Sequence, residues 1–516
     1  MNISLNTCIL ILKEHHLLKS SAVQDTVQTR MEAVSYDSRD VQSNSLFFCK
    51  GAGFRPTYLT MAKENGAIAY VAEQPYPEGT GMHALIVRNV SKAMALLSAA
   101  FYRFPQDDLF LVGFTGTKGK TTSAYFLKGM LDQLNGGRTA LLSSVDNILG
   151  PAPEDTFKSS LTTPESLDLF RDMRRAVDNG MTHMVMEVSS QAYKKNRVFG
   201  LTYDLGFFLN ITPDHIGVNE HPNFEDYLHC KLQLLVNSRK CIINAETDRF
   251  ADVYAAATTT TNPDSIYLFA RDGFENPDLK KPIDFRYKSV ETDLAETKFT
   301  LTTASSKAHK LPISGEYTLQ MIGDFNETNA TAAIIGAGLA GMSYEDCAKG
   351  IRHVTIPGRM ETVTTQKHGL IVVDYAHNKA SMLALMRFMR REFTNPRIIV
   401  VVGAPGDKGI SRRPGFSESL TAEADKAYLT TDDPGFENAQ DICEEIDAGI
   451  DHSKCETVIE LDREKAIKEA ISEAGPNDVV LLCGKGADAF QKIRGVDTPY
   501  AGDIVIARQV VQELEK

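Results

Sequence analysis

Hydrophobic positions in the first hundred residues come in short runs that polar stretches separate. The runs predict short strands, at 33–39, 45–49, 67–71 and 84–87. Together they indicate a small α/β domain that ends near Pro105.

A strand, a glycine-rich loop and a helix are predicted next, in that order. Residues 109–114 have a buried-strand pattern, and apolar positions from Thr121 to Leu134 recur at helical spacing. Gly136 and Gly137 predict the end of this helix. This order of elements is the one that a phosphate-binding site requires.

Further apolar runs alternate with helical stretches, at 184–186, 205–209 and 241–244. Such alternation is typical of a mainly parallel sheet with helices on both faces. Residues 257–312 are richer in Thr, Ser and Asp, and they predict short strands and turns that add an antiparallel part to the same domain.

A further domain is predicted after Ile356-Pro-Gly358, because Pro and Gly together interrupt periodic structure. A helix of small residues, 326–340, precedes this joint. Strands followed by helices are predicted beyond it, at 370–374, 397–402, 426–429 and 479–483. This pattern is typical of a second open, doubly wound sheet.

The fold class is therefore predicted to be α/β with three domains, since 516 residues exceed what one hydrophobic core usually supports. Residues 1–107 would form the small N-terminal α/β domain, and residues 108–354 a central P-loop ATPase-like domain with a parallel sheet. Residues 355–516 would form a C-terminal Rossmann-like, doubly wound domain.

Composition narrows the class of protein. Apolar residues make up 43% and charged residues 24% of the chain, which is ordinary for a globular protein. The formal charge of -12 disfavours nucleic acid and anionic lipid as partners. The apolar stretch Cys8–Leu12 is far too short to span a membrane, and the eight cysteines contain no CxxC pair. We expect a cytoplasmic protein without a signal peptide, membrane insertion, disulfide framework or structural zinc.

The segment Thr115-Gly-Thr-Lys-Gly-Lys-Thr-Thr122 is a candidate phosphate loop at the start of a helix. Lys120 would lie against the β- and γ-phosphates of a nucleotide, and the Thr121 hydroxyl would bind Mg²⁺. The segment departs from the strict motif because Phe114 stands where the first glycine is required. The alternative is a plain glycine turn before a helix, but the preceding strand favours nucleotide binding.

Two polar side chains at predicted strand ends are candidate Mg²⁺ ligands. Glu187 follows the run 184–186, and His215 follows the run 205–209. Strand carboxyl ends are where doubly wound sheets bind ligands, and Mg²⁺ requires hard oxygen donors and tolerates imidazole. Alone, either residue would more often be structural; with the phosphate loop, the metal-binding interpretation is favoured.

Several motifs in register resemble the Mur ligase family. They begin with Thr115–Thr122, continue with Met186-Glu-Val-Ser-Ser190 and Asn210-Ile-Thr-Pro-Asp-His215, and include Tyr227 and Lys231 downstream. Later segments follow in the same order, at 323–329, 356–361 and 374–377. The resemblance spans the chain and implies an ATP-dependent amide-bond-forming ligase of peptidoglycan precursor synthesis, with Mg²⁺ as metal.

Within the family the chain looks most like the MurE type. Residues 35–39 and 45–51 resemble the segment that holds the uridine nucleotide, and Leu161-Thr-Thr-Pro164 resembles the muramoyl-peptide segment. The first predicted domain would thus bind the UDP precursor, the second ATP, and the third the incoming amino acid. The partners would be these small molecules, and the protein a monomer.

The resemblance also implies site residues. Those for the UDP precursor are Ser38, Thr162, Thr163, Ser189 and Arg197. Those for ATP are Gly116, Thr117, Lys118, Gly119, Lys120, Thr121, Thr122, Asn326, Arg359, Asp374 and His377. The family carbamylates a lysine at the position of Lys231, which would bind metal with Thr121, Glu187 and His215. Lys120, Glu187, His215 and Lys231 would be catalytic, and no general base is assigned between Asp374 and His377.

The choice of amino acid depends on the segment Leu429-Thr-Thr-Asp-Asp-Pro-Gly435. Diaminopimelate-adding relatives carry an arginine where this chain has Gly435, and that arginine clamps the distal carboxylate. Here the predicted amino-acid site is acidic, and it consists of Asp432, Asp433, Pro434, Gly435 and Asp488, with Glu437 nearby. A site that lacks this arginine and keeps carboxylates suits a side chain that ends in an ammonium group, so L-lysine is predicted. Ornithine is a physically similar alternative. A plain surface turn is the alternative for 432–435.

The expected reaction is therefore the addition of L-lysine to the D-glutamate γ-carboxylate of UDP-N-acetylmuramoyl-L-alanyl-D-glutamate through an acyl phosphate. The same reaction with ornithine or meso-diaminopimelate is one alternative. A related amide ligase, such as folylpolyglutamate synthetase or the Mur enzyme that adds the terminal dipeptide, is a second. A non-catalytic ATP-binding module is a third.

Overall fold

The computed structural model describes residues 1–22, 29–51, 53–217, 220–276, 279, 281–292, 296–321, 323, 325–407 and 410–515. The chain divides into two compact units. The first unit comprises Met1–Val290, Phe299–Tyr317 and Phe325–Arg352. The second unit comprises Glu291–Lys298, Thr318–Asp324 and His353–Lys516.

The strands are numbered in chain order. Up to residue 244 they are β1 (Ile3–Ser4), β2 (Leu18–Ala22), β3 (Arg30–Met31), β4 (Ala33–Ser35), β5 (Ser45–Phe48), β6 (Ala67–Ala72), β7 (His83–Val87), β8 (Phe110–Thr115), β9 (Thr139–Leu142), β10 (Asp146–Ile148), β11 (Thr156–Lys158), β12 (His183–Glu187), β13 (Tyr203–Phe208) and β14 (Ser238–Asn244). Beyond it they are β15 (Ile266–Arg271), β16 (Phe285–Thr292), β17 (Thr297–Thr303), β18 (Gly315–Leu319), β19 (Glu361–Thr364), β20 (Leu370–Asp374), β21 (Ile398–Val402), β22 (Lys426–Leu429), β23 (Glu456–Ile459), β24 (Val479–Cys483), β25 (Phe490–Ile493) and β26 (Val496–Pro499).

The α-helices are numbered in the same way. They are α1 (Leu5–Glu14), α2 (Pro56–Glu64), α3 (Val90–Phe101), α4 (Lys120–Asn135), α5 (Ser166–Asp178), α6 (Ser190–Lys194), α7 (Phe224–Val236), α8 (Phe250–Thr258), α9 (Phe325–Leu339), α10 (Tyr344–Arg352), α11 (Lys379–Glu392), α12 (Arg413–Glu423), α13 (Ala439–Asp447), α14 (Arg463–Glu473) and α15 (Asp503–Leu514).

A five-stranded sheet lies at the start of the first unit, in the order β2-β7-β6-β5-β4. Strands β4 to β7 pair in parallel, and β2 joins the edge antiparallel. Helices α1 and α3 contribute Leu12 and Leu97 to the core on one face, and α2 contributes Leu59 to the core on the other. The four predicted strands of this region are confirmed as β4, β5, β6 and β7.

The central sheet runs in the order β11-β10-β9-β12-β8-β13-β14-β15-β16-β17-β18. Strand β8 lies between β12 and β13 and pairs with both in parallel, so three strand carboxyl ends meet at one edge. Residues 184–187 of β12 are all buried, as expected for a parallel strand covered on both faces. This edge is where the phosphate loop begins.

The prediction of an antiparallel addition after residue 257 is wrong for β15 and β16. Strand β15 pairs in parallel with β14, and β16 pairs in parallel with β15. Helix α8, which lies between β14 and β15, allows the chain to return in the same direction. Residues 277, 278, 280 and 293–295 of the predicted addition, and Asp324 of the segment 323–329, lie outside the described residues.

The second unit contains a six-stranded sheet in the order β19-β20-β24-β21-β22-β23. Strands β20 to β24 pair in parallel, and β19 is antiparallel at the edge. Helices α14 and α15 cover one face, where Ile467 and Ala507 pack with strand residues such as Val480. The predicted α/β class and the strands of this region are thereby confirmed. No helix within the described parts of the chain is long and apolar enough to cross a membrane.

Candidate active site

The phosphate loop connects β8 to α4 in the first unit. Gly119 precedes the helix in the left-handed region, with φ of 84°. A Cβ atom built on Gly119 would lie 2.1 Å from the Asn329 Oδ1 atom on α9. Glycine is therefore required here twice, for its backbone conformation and for the close approach of α9. Because glycine has no side chain to cap α4, the first helical N–H groups can bind an anion.

Two lysine ammonium groups converge on one carbonyl oxygen of this loop. The Lys120 Nζ atom donates to the Gly116 carbonyl at 2.9 Å, and the Lys231 Nζ atom donates to the same oxygen at 2.7 Å. Lys231 lies on α7 and is 2% exposed. Burial and then the nearby charge of Lys120 hold the pKa of Lys231 well below its usual value. Its amine is therefore more readily neutral than that of a surface lysine.

Glu187, at the carboxyl end of β12, lies beside the first turn of α4. The Thr121 hydroxyl donates to its Oε1 atom at 2.8 Å. The Ser144 backbone N–H donates to the same oxygen at 2.7 Å, and the Ser144 hydroxyl at 3.1 Å. Thr121 and Glu187 are both buried, so two hard oxygen donors share one enclosed position. This donor set fits Mg²⁺.

The other side of the loop contacts the segment after β13. The Asn210 side chain accepts from the Lys118 N–H at 2.8 Å and donates to the Lys118 carbonyl at 3.1 Å. The Thr117 hydroxyl lies 3.1 Å from the Tyr227 hydroxyl on α7. Thr122 is buried in the first turn of α4. The loop is thus fixed by two neighbouring elements, the segment after β13 and helix α7.

His215 lies at the more open side of this region. Its backbone has a positive φ of 54°, its side chain is 43% exposed, and Nδ1 lies 2.9 Å from the Glu220 Oε1 atom. The ring centroid is 6.1 Å from that of Tyr227. The structure therefore brings His215 close to the phosphate loop through Tyr227.

Three of the predicted precursor-binding residues meet at the end of β12. The Thr163 hydroxyl donates to the Glu187 carbonyl at 2.9 Å and accepts from the Ser189 N–H at 3.1 Å. Arg197 donates to the Thr163 carbonyl at 3.2 Å and pairs with Glu165 at 2.9 Å. The predicted precursor and metal residues are thereby held in one hydrogen-bonded group.

Thr162 and Ser38 lie outside that group of hydrogen bonds. Thr162 is half-buried next to Thr163. Ser38 is buried in a 3₁₀ turn, with its hydroxyl 4.0 Å from the Met61 sulfur. Lys50, which follows β5, forms an ion pair with Glu165. This pair links the N-terminal sheet to the loop before α5.

Asn326 is buried on α9, the helix that approaches Gly119. Its Oδ1 atom accepts from the Asn329 side chain at 3.3 Å. Asn329 in turn accepts from the Ser123 hydroxyl through its carbonyl at 3.2 Å. Asn326, the predicted adenine contact, is therefore linked to the phosphate loop through Asn329, which lies against Gly119.

The predicted nucleotide residues of the second unit surround Tyr375. The Arg359 guanidinium lies 5.6 Å from the Tyr375 ring centroid. Asp374 accepts from the Met360 N–H at 3.0 Å, and the His377 Nδ1 atom lies 2.6 Å from the Tyr375 carbonyl. These contacts order the segment after β20.

The acidic residues of the predicted amino-acid site gather around the buried Lys485. Its Nζ atom lies 2.6 Å from Asp433, 3.5 Å from Asp488 and 3.8 Å from Asp432. Burial would lower the pKa of Lys485, but the charges of Asp432 and Asp433 outweigh it and raise that pKa. Burial raises the pKa of Asp432 to about 6. Asp432 is only 8% exposed, which disfavours a plain surface turn at this position.

Gly435 is closely surrounded. Its φ is 60°, and a Cβ atom built there would lie 2.1 Å from the Asp407 Oδ2 atom. The Gly435 N–H donates to the Lys492 carbonyl of β25 at 3.0 Å, and the Pro434 carbonyl accepts from the Glu437 N–H at 3.0 Å. No side chain can be added at residue 435 without moving Asp407.

Two family models match the chain over the segments just described. The model described as Mur ligase middle domain matches residues 114–337, and the glutamate ligase domain of Mur ligases matches residues 358–486. The chain belongs to the Mur ligase family. It is therefore an ATP-dependent amide ligase, and Mur ligases use ATP and a divalent metal ion.

Individual Mur ligases are similar over the full length. A UDP-N-acetylmuramyl-tripeptide synthetase from Lactobacillus delbrueckii subsp. bulgaricus is 98% identical over 516 residues, which is 100% of both chains. A UDP-N-acetylmuramoyl-L-alanyl-D-glutamate--L-lysine ligase from Enterococcus faecalis is 46% identical over 95% of this chain and 94% of its own. A solved UDP-N-acetylmuramoyl-L-alanyl-D-glutamate--2,6-diaminopimelate ligase matches the fold with a TM-score of 0.65 at 22% identity, over 100% of both chains.

The sequence prediction missed several residues of these Mur ligase sites. Ser144, Glu165 and Asn329 each hold a predicted site residue, and Lys485 is at the centre of the acidic group. Asn329 is the last residue of the family-like segment 323–329, so its position was a usable signal. Ser144 and Lys485 approach the predicted site residues only through tertiary packing, which no local pattern reports.

Proposed function

We propose that this Mur ligase adds L-lysine to the D-glutamate γ-carboxylate of UDP-N-acetylmuramoyl-L-alanyl-D-glutamate, with ATP and Mg²⁺. The amino-acid site supports the choice of lysine. Its three carboxylates outnumber the single internal ammonium of Lys485, so a further cation is favoured there. The name of the Enterococcus faecalis relative, an L-lysine ligase, agrees with this choice.

The surroundings of Gly435 support lysine over diaminopimelate. An arginine that clamps a distal carboxylate would have to begin with a Cβ atom 2.1 Å from Asp407 Oδ2. Asp407 itself accepts from the Phe436 N–H at 2.7 Å, so it cannot move without losing that hydrogen bond. The site thus lacks that cation, and an arginine side chain at residue 435 would displace Asp407 and break its hydrogen bond to Phe436.

In this proposal each of the three domains binds a substrate. Residues 1–107 would bind the UDP part through Ser38, residues 108–354 would bind ATP, and residues 355–516 would bind lysine. Thr162, Thr163, Ser189 and Arg197 would hold the sugar-peptide at the end of β12. Arg359, Asp374 and His377 would face the nucleotide from the segment around Tyr375.

In the proposed reaction the γ-carboxylate attacks the ATP γ-phosphorus, which breaks the bond to ADP and gives an acyl phosphate. Lys120 and the N–H groups at the start of α4 would stabilise the charge on the transferring group. The lysine α-amine then attacks the acyl carbon, and phosphate leaves. Arg197 and Thr163 would hold the precursor so that its carboxylate stays near the phosphate loop.

Thr121, Glu187, His215 and a carbamylated Lys231 would hold Mg²⁺. When bound, the metal supplies positive charge that offsets the negative charge of the phosphates. The buried Lys231 amine would add to CO₂ with loss of one proton, which replaces a cation with an oxygen donor. Its enclosure beside Lys120 supports this, since a neutral amine is needed as the nucleophile.

The proposed cytoplasmic location is supported by the cysteines. All eight are buried and free, as is usual in a reducing compartment. We extend the proposal to a monomeric enzyme, which analytical ultracentrifugation would test.

Phosphate release tests the proposed reaction. Purified protein is given ATP, Mg²⁺ and the UDP-muramoyl dipeptide with L-lysine, L-ornithine, meso-diaminopimelate or no amino acid. We expect release with lysine and a mass increase of the precursor by one lysyl residue. Phosphate release with diaminopimelate instead of lysine would contradict the interpretation of Gly435. The absence of phosphate release with every amino acid would refute the proposed ligation.

Carbamylation of Lys231 is tested separately. Bicarbonate labelled with ¹³C would report it by NMR, with Lys231→Arg as control.

A further inference from the structure

A buried imidazole that the proposed mechanism does not use joins three elements of the metal region. His221 is fully buried and lies between its own loop, which begins at His215, and helices α6 and α7. Helix α6 follows Glu187 in the chain, and α7 carries Lys231. The loop and α7 thus each bear one proposed metal ligand, and α6 begins three residues after a further one, Glu187.

Both ring nitrogens of His221 are hydrogen-bonded. The Nδ1 atom lies 2.6 Å from the Asp226 Oδ2 atom on α7, and the Nε2 atom lies 2.8 Å from the Ser190 hydroxyl on α6. Because an ionised carboxylate only accepts, Nδ1 carries the proton and Nε2 accepts from Ser190. The ring therefore connects the two helix starts in a defined orientation.

The backbone of His221 orders the loop that carries His215. The His221 N–H donates to the His215 carbonyl at 2.9 Å, and the His221 carbonyl accepts from the Gly217 N–H at 3.0 Å. The positive φ of His215 makes its backbone conformation costly without such support. The backbone at residue 221 thus supports the loop from which the His215 side chain leaves, and the His221 ring anchors that loop to α6 and α7.

The ring also packs against Tyr227, which contacts the phosphate loop. The two ring centroids are 5.3 Å apart in an edge-to-face arrangement. The Tyr227 hydroxyl lies 3.1 Å from the Thr117 hydroxyl, and the Lys231 Nζ atom lies 4.8 Å from the Tyr227 ring centroid. A displaced His221 would therefore disturb Tyr227 and, through it, Lys231.

We propose that His221 is a positioning residue of the metal site, which holds Glu187, His215 and Lys231 in one arrangement. The inference rests on the proposed function for the identity of the metal ligands. Residues that orient metal ligands usually change metal affinity or activity about 10- to 100-fold when they are replaced. His221 would affect metal affinity in this way although it is not itself one of the proposed metal ligands.

A metal ion held by His221, Asp226 and Cys230 themselves is a weaker interpretation. Their candidate ligand atoms lie within 4.8 Å of one another. Burial, however, raises the pKa of the Cys230 thiol to about 11, and a thiol must be deprotonated to bind metal well. The His221 Nδ1 atom is also already bonded to Asp226.

The test compares variants that remove the contacts one at a time. His221→Asn keeps a donor toward Asp226, His221→Gln keeps an acceptor toward Ser190, and Ser190→Ala removes the hydroxyl alone. The control is His183→Gln. His183 is a hydrogen-bonded histidine at the opposite end of β12, where its Nδ1 atom lies 2.9 Å from the Thr182 hydroxyl.

Two measurements are made on each variant. The first is the concentration of Mg²⁺ that gives half-maximal phosphate release, together with the KM for L-lysine. The second is Mn²⁺ binding by electron paramagnetic resonance in the presence of a non-hydrolysable ATP analogue, which needs no turnover. We expect the His221 variants to raise the Mg²⁺ requirement and weaken Mn²⁺ binding about tenfold or more. Ser190→Ala should have a smaller effect, the KM for lysine should stay constant, and the control should behave like the unchanged protein.

A merely structural role predicts a different result. The His221 variants would then unfold at lower temperature and lose active protein, while the Mg²⁺ requirement and Mn²⁺ binding of the folded fraction stay unchanged. That result would overturn the inference. If the unchanged protein ligates no amino acid, the proposed function fails, and Mn²⁺ binding still decides whether His221 positions a metal site.

Discussion

The ion pair between Arg463 and Asp503 allows a quantitative prediction for the second unit. Arg463 begins α14 and Asp503 begins α15, and the two side chains are 1% and 0% exposed. Arg463 donates to the two carboxylate oxygens at 2.9 and 2.7 Å and to the Cys483 carbonyl at 2.9 Å. Cys483 ends β24, directly before Gly484 and Lys485 of the acidic site. The pair therefore fixes the start of that site.

Replacement of Arg463 by Met should destabilise the second unit strongly. It leaves the Asp503 carboxylate buried without its countercharge, and such losses cost about 3 to 5 kcal/mol. The Tyr500 hydroxyl still donates to Asp503 at 2.6 Å, and the start of α15 favours a negative charge, so we expect the lower value. For a unit of this size, about 3 kcal/mol corresponds to a fall in Tm of about 6 to 12 °C.

The assay combines thermal unfolding with hydrogen exchange of the peptides that cover α14 and α15. The double variant Arg463→Met/Asp503→Leu should recover most of the loss, because no charge is left buried. The control is Lys468→Met. Lys468 pairs with Glu513 across the same two helices at 3.0 Å, but the side chains are 56% and 60% exposed, so about 0 to 1 kcal/mol is expected. An Arg463→Met loss no larger than that of Lys468→Met, or a double variant as unstable as the single one, would refute the reasoning.

Three further predictions concern single residues. Gly119→Ala should raise the Kd for a non-hydrolysable ATP analogue at least tenfold by calorimetry, because its Cβ atom would meet Asn329 at 2.1 Å and left-handed backbone costs alanine about 1 kcal/mol. Gly435→Arg should lower Tm and give no diaminopimelate-dependent phosphate release; adding Asp407→Gly should restore part of the Tm, because it removes the overlapping carboxylate. Burial raises the pKa of Asp172 from 3.8 to about 6. The contribution of Asp172 to the free energy of unfolding is therefore fully present below pH 3.8 and is lost as the pH rises through 6. Asp172→Asn should therefore be more stable than the unchanged protein by about 3 kcal/mol at pH 7, with no gain near pH 3.5, as urea unfolding would measure.

The parallel strands could be predicted from the sequence because they are buried on both faces. Such strands are continuous apolar runs, as at 398–402 and 479–483, and every residue of both strands is buried. The position of the phosphate loop followed for the same reason, since an apolar strand, glycines and a helical pattern occur in order. These are local signals that need no knowledge of distant contacts.

The direction of β15 and β16 could not be predicted in this way. The Thr-, Ser- and Asp-rich composition of residues 257–312 predicted an antiparallel addition, but composition does not fix the direction of a strand. Direction depends on the connection, and helix α8 returns the chain in parallel. The contact between Gly119 and Asn329 is equally hidden, because it arises only when α9 packs against α4.

The two buried lysines show most clearly what sequence alone cannot decide. Lys231 and Lys485 are both almost inaccessible, and burial alone would lower the pKa of both. Lys231 lies beside Lys120, so a second cation lowers its pKa further, whereas the carboxylates around Lys485 raise its pKa. Burial and Lys120 thus favour the neutral amine that the proposed reaction of Lys231 with CO₂ requires, whereas the acidic neighbours favour the charged form of Lys485. The same residue type takes opposite roles because of neighbours that only the folded chain brings together.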